Sequence, residues 1–169
     1  MKNTRSNLLA QHPLGAYFVL AFALSWLIQV PLALQAQGII GTHLPLGLHY
    51  VTGFGPLLSA FIVAYASTRR DGVIQLLKRL GKWRVGIGWW LAALSPLFGL
   101  IAISVVTRAV QGSAIGISQL GTIDHFPALG IGTLFFWIVT FGLGEETGWR
   151  GFALPRLQQG RSALAATVI

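Results

Sequence analysis

The chain has 169 residues, of which 54% are hydrophobic and 9% charged, with a formal charge of +8 and no cysteine. An ordinary soluble domain carries about 25% charged residues, so that class is excluded. The absence of cysteine excludes disulfides, thiolate metal sites and cysteine nucleophiles.

Residues 1–12 form a short basic head with Lys2 and Arg5. Residues 14–34 are apolar and long enough to cross a bilayer, which needs about 20 residues. A cleaved signal peptide has an apolar region of about 7–15 residues followed by a small-residue cleavage site. Neither feature is met, so the run reads as a retained first span. Residues 35–50 hold Gly38, Gly41, Pro45 and Gly47 and read as a turn-rich loop. His43 and His49 lie in it, six apart, with nothing acidic near them in sequence. That spacing is a poor metal pair.

The second span is expected over residues 51–67, with Gly53, Gly55 and Pro56 making a close-packed or irregular start. The most basic stretch follows, with Arg69, Arg70, Lys78, Arg79, Lys82 and Arg84. Within it Val73, Leu76, Leu77 and Leu80 recur at helical spacing, which predicts an amphipathic helix over about 72–84. Its apolar face and cations suit an anionic membrane surface. The third span is expected over 87–107, marked by Trp83, Trp89 and Trp90 at the interface and kinked at Pro96. Residues 111–126 read as a loop in which Asp124 is a turn or cap residue before Pro127.

The fourth span is expected over about 129–154. It contains the chain's two glutamates, Glu145 and Glu146, in the stretch from Gly144 to Phe152. Ionisable residues at membrane depth are costly and mark function by default. Sixteen residues at 1.5 Å each put Glu145 about 24 Å along the span, inside a hydrocarbon core of about 30 Å but near its exit. Glu146 and Arg150 are four apart and can pair, while Glu145 points about 100° away. The unpaired carboxylate is then free to face a cavity and accept a proton. Gly144 and Gly148 let a neighbouring helix approach closely. The bland alternative makes both acids interfacial residues at headgroup level, with Arg150 as an anchor.

After Pro155 come Arg156 and Arg161, then the short apolar run 163–169, expected as the start of a fifth span in a truncated chain. The expected fold is therefore all-α: one polytopic membrane domain of four complete spans, the start of a fifth, and one amphipathic surface helix. The basic residues lie in the head, the second loop and after the fourth span, so the N-terminus and the glutamate motif are expected on the cytoplasmic side of an inner membrane. Because these cations alternate with apolar runs, they are topology signals and not a nucleic-acid surface.

The run Glu145-Glu146-Thr147-Gly148-Trp149-Arg150-Gly151-Phe152-Ala153-Leu154-Pro155-Arg156-Leu157 resembles the first motif of the CAAX protease and bacteriocin-processing family of intramembrane proteases. That motif is two glutamates, three residues, then arginine. The resemblance covers about residues 141–157. It implies an endopeptidase in which Glu145 activates the attacking water, Glu146 pairs or supports, and Arg150 orients the site. It implies a membrane-embedded or lipidated protein or peptide as substrate. It leaves open a divalent metal such as zinc or a metal-free water with histidine donors. The family's second motif, Phe-x-x-x-His, and its third, a histidine followed four residues on by Asn or Asp, do not occur in these 169 residues, and no histidine follows Arg150. The alternatives are a non-catalytic membrane scaffold or bacteriocin-immunity-type protein, in which the Glu146–Arg150 pair is structural, and a transporter fragment using the acids for ion coupling.

Overall fold

A computed structural model describes residues 8–82, 84–112 and 132–168. Every regular element among them is helical. In order these are α1 (Leu8–Gln11), α2 (Pro13–Ala36), a 3-10 segment (Leu46–Gly53), α3 (Phe54–Leu80) and α4 (Ile87–Val110). Then come α5 (Gly132–Trp137), π-helical segments Ile138–Glu145 and Thr147–Ala153, α6 (Leu154–Leu157) and α7 (Ala163–Val168). Among the described residues three stretches are long and apolar enough to cross a membrane: Pro13–Ala36, Leu46–Leu80 and Ile87–Val110. The described part of the expected fourth span runs as consecutive helical segments from Gly132 to Leu157. The loop expected around Asp124, Trp83 and the first residues of the fourth span lie outside the described residues.

The described residues of 1–81 and 135–169 form one compact unit, and those of 82–134 form another. In the second unit α4 carries Pro96 inside it, and Ser95 Oγ donates to the Ala92 carbonyl at 2.8 Å. A serine donating back into its own helix is one of the local adjustments that accompany such a proline.

The first unit holds the core. Tyr17, Ala21, Ala60, Val63, Ala64, Leu76, Phe152 and Ala153 pack together there. The other side of α2 presents Val19, Trp26, Leu27 and Val30 as exposed apolar residues. So much outward apolar surface belongs against lipid rather than water.

Three polar contacts tie the first loop down. Gln35 Nε2 donates to the Leu44 carbonyl at 3.1 Å, and Leu44 N–H donates back to Gln35 Oε1 at 2.6 Å. Ser25 Oγ donates to the Thr52 carbonyl at 2.8 Å, so α2 holds the 3-10 segment. The loop expectation for residues up to 50 is therefore corrected at its end, because helical turns begin at Leu46.

The break expected between the second span and the basic helix falls at Thr68 and Arg69, whose φ is +55°. Left-handed backbone is costly for a non-glycine residue and marks a sharp turn held by its surroundings. The chain doubles back there, so that Gly72 lies against the Ala64 carbonyl and the Thr68 hydroxyl, with no room for a side chain. The basic helix that follows is not wholly a surface helix. Leu76 is buried in the core, whereas Leu77 and Leu80 face outward.

Candidate functional site

The glutamates stand where the helix widens. Glu146 N–H donates to the Phe141 carbonyl and Leu154 N–H to the Trp149 carbonyl, both five residues back. This is π-helical bonding, which is rare and concentrates at functional sites. The widened turns put Gly144 and Gly148 against the start of α3. A Cβ on Gly144 would stand 2.6 Å from the Gly53 carbonyl oxygen, and one on Gly148 would stand 2.6 Å from the Pro56 backbone. The small-residue pair thus finds its partner inside this chain, at Gly53 and Pro56.

Glu145 and Glu146 take different surroundings. Glu146 Oε2 meets Arg150 Nε at 2.8 Å, as an ion-pair contact rather than an aligned hydrogen bond. The two side chains are partly exposed, the glutamate 42% and the arginine 76%, although the Glu146 Oε2 atom itself is covered. Both line a cavity of about 350 Å³ together with Arg79, Leu80 and Thr147. Glu145 turns the other way. Its Cγ lies over Gly53, 3.7 Å from where a Cβ would be. It is half-buried and within electrostatic reach of His49 and Tyr17. The cavity beside the motif is lined by Glu146 and not by Glu145. The widened backbone carries Glu145 toward the 3-10 segment instead.

In the sequence His49 stands only as half of a poor metal pair. Its neighbours in the chain include no acid, and the fold supplies one. The His49 ring lies 6.4 Å from the ring of Phe141, one turn before Glu145, and Tyr50 packs against the same Phe141 at 6.2 Å. The signal available in the sequence is Gly53: a glycine four residues after His49 permits the approach of another backbone. His43 stays exposed and takes no part.

Tyr17 is fully buried, and among the described residues its hydroxyl has no hydrogen-bond partner. The hydroxyl lies against Gly148, and the ring packs on Phe152 at 5.0 Å and edge-on to Trp149 at 5.4 Å. The Thr147 hydroxyl is likewise buried without a partner. A second, larger cavity of about 490 Å³ is apolar. Phe18, Phe22, Trp149 and Leu157 line it, with Arg150 at its edge.

Among the described residues no three His, Asp or Glu side chains stand close enough together to hold a metal ion. Compared with family models, curated proteins and solved structures, the chain matches none.

Proposed function

We propose that the protein is an intramembrane endopeptidase of the CAAX-protease-like type, acting on membrane-embedded or lipidated proteins or peptides. The observation that carries this reading is the division of two adjacent acids: Glu146 is neutralised by Arg150, while Glu145 lies over the bare backbone of Gly53, within electrostatic reach of His49. A carboxylate without a fixed cation beside it is available to take a proton from water.

In this reading Glu145 accepts the proton of a water that attacks the scissile carbonyl carbon. The same proton passes to the leaving amine as the C–N bond breaks. The developing oxyanion needs donors, and His49 stands on the side of Glu145 to supply one. Arg150 fixes Glu146 and so fixes the turn that aims its neighbour. The apolar cavity beside Trp149 suits an apolar side chain or lipid chain of the substrate.

Residues 129–154 are counted in this reading as a fourth span. The N-terminus and the glutamate motif lie on the cytoplasmic side, as the distribution of basic residues favours. Water then reaches the motif from the cytoplasmic face.

The test uses the full-length gene product in membranes, with cleavage of lipidated and membrane-embedded reporter peptides as the readout. Glu145→Gln abolishes cleavage and leaves thermal unfolding unchanged. His49→Gln lowers the rate by about 10²–10⁴-fold, the usual contribution of a positioned acid or base. His43→Gln leaves it unaltered. Unchanged proteolysis in Glu145→Gln removes that residue as the base and favours the scaffold reading, in which the Glu146–Arg150 pair is structural.

A further inference from the structure

Arg79 and Arg156 are held side by side by consecutive carbonyls. Arg79 Nη1 donates to the Gly151 carbonyl at 2.8 Å, and Arg156 Nη1 donates to the Phe152 carbonyl at 2.9 Å. The Arg156 guanidinium is further fixed over the Phe152 ring, 3.6 Å from its centroid. That ring is itself buried in the core. Two long basic side chains from different helices, Arg79 exposed and Arg156 half-buried, thus converge on one place.

Neither arginine has an acidic partner among the described residues. Asp71 is exposed and forms no ion pair there, Glu146 is taken by Arg150, and Glu145 lies on the opposite side of its helix. Burial, and to a lesser degree the Arg79 cation, pulls the Arg156 guanidinium below its ordinary value. Two cations held this close repel each other unless an anion lies between them.

The space for that anion exists. Both arginines line a half-enclosed cavity of about 90 Å³, with Thr68 and Gln75 also on its wall. A cavity needs only about 10–15 Å³ of such volume to hold one water, so this one is large enough for a tetrahedral oxyanion. Each guanidinium has five N–H donors and uses few of them on the two carbonyls. The remaining donors, the Gln75 amide and the Thr68 hydroxyl match the oxygens of a phosphate group.

We propose that Arg79 and Arg156, with Gln75 and Thr68, form a binding site for a phosphate group. The site sits where the kinked basic helix meets the end of the motif helix, next to the outward-facing Leu77 and Leu80. At a membrane surface the source that fits is the phosphodiester of an anionic lipid headgroup. An anionic leaflet concentrates such groups, and the apolar residues beside the site would meet the acyl chains. Free inorganic phosphate offers the same chemistry without the chains.

The experiment titrates the detergent-solubilised full chain with three probes: short-chain phosphatidylglycerol, short-chain phosphatidylcholine and inorganic phosphate. Binding is read by native mass spectrometry and by the shift in Tm. Phosphatidylglycerol binds at least tenfold more tightly than phosphatidylcholine. Arg79→Gln and Arg156→Gln each abolish that preference, Arg79→Lys retains most of it, and Arg70→Gln leaves it intact. The preference is a ratio within one variant, so a general loss of stability does not imitate the result. Inorganic phosphate that competes with the lipid and reproduces the Tm shift assigns the site to the free anion. A preference that persists in both glutamine variants, or the absence of any anion preference in the parent chain, overturns the proposal.

Discussion

Gly53 and Gly144 meet backbone to backbone: a Cβ on Gly144 would stand 2.6 Å from the Gly53 carbonyl oxygen, and a Cβ on Gly53 would stand 2.9 Å from the Thr140 carbonyl oxygen. This crossing brings the 3-10 segment onto the motif helix and sets His49 on the side of Glu145. It has no slack for a methyl group on either side of the contact. Gly144→Ala and Gly148→Ala are each expected to cost about 1–3 kcal/mol through overpacking. Gly142 lies in the same helix, and a methyl group there would have its nearest neighbour 3.8 Å away. Gly142→Ala is therefore neutral, or stabilising by up to about 1 kcal/mol through helix propensity. Thermal unfolding in detergent separates the three, and equal Tm values would refute the close crossing.

Tyr17 contributes through its ring and not its hydroxyl. The ring is fully buried against Phe152 and Trp149, whereas the hydroxyl has no partner among the described residues. An unsatisfied buried hydroxyl costs about 1–3 kcal/mol, so Tyr17→Phe is expected to keep or raise the Tm. Tyr17→Ala removes the ring and is expected to cost about 3–5 kcal/mol. A Tm loss in Tyr17→Phe comparable to that in Tyr17→Ala would show that the hydroxyl is bonded, with Glu145 as the nearby acceptor to examine.

The ion pair between Glu146 and Arg150 is close, with both side chains partly exposed. A double-mutant cycle with Glu146→Gln and Arg150→Gln is expected to give a coupling of about 0.2–1 kcal/mol, the range of solvent-exposed pairs. Its contribution to stability is small, so the loss of cleavage in Arg150→Gln would exceed its loss of stability. A coupling above about 3 kcal/mol, as seen when a buried pair is broken, would mean that the pair is covered in the membrane.

Topology can be read chemically because the chain has no cysteine of its own. Single cysteines at exposed Lys82 and Gln159 are expected to react with a membrane-impermeant maleimide in inverted vesicles and not in intact cells. A cysteine at exposed Gln37 is expected to do the reverse. Labelling of all three from one side would overturn the assignment of spans.

The apolar lengths of α2 and α4, and the break after residue 67, are legible in the sequence because each depends on consecutive residues. A helix's exposure to lipid is encoded along its own length, as is the 3.6-residue period that separates Glu145 from Glu146. The pairing of Glu146 with Arg150 follows from the same local spacing.

What the sequence by itself determined is thus a run of helices of membrane-spanning length and apolarity, with two acids on different faces of one segment. The tertiary structure alone decided what each face meets. It widened the motif helix into π turns, matched Gly144 to Gly53, brought His49 within electrostatic reach of Glu145, and set Arg79 from the kinked helix beside Arg156. These are meetings between segments far apart in the chain, and no local period encodes them. They depend on how closely two backbones approach, which here is governed by glycines whose importance is visible only once both helices are in place.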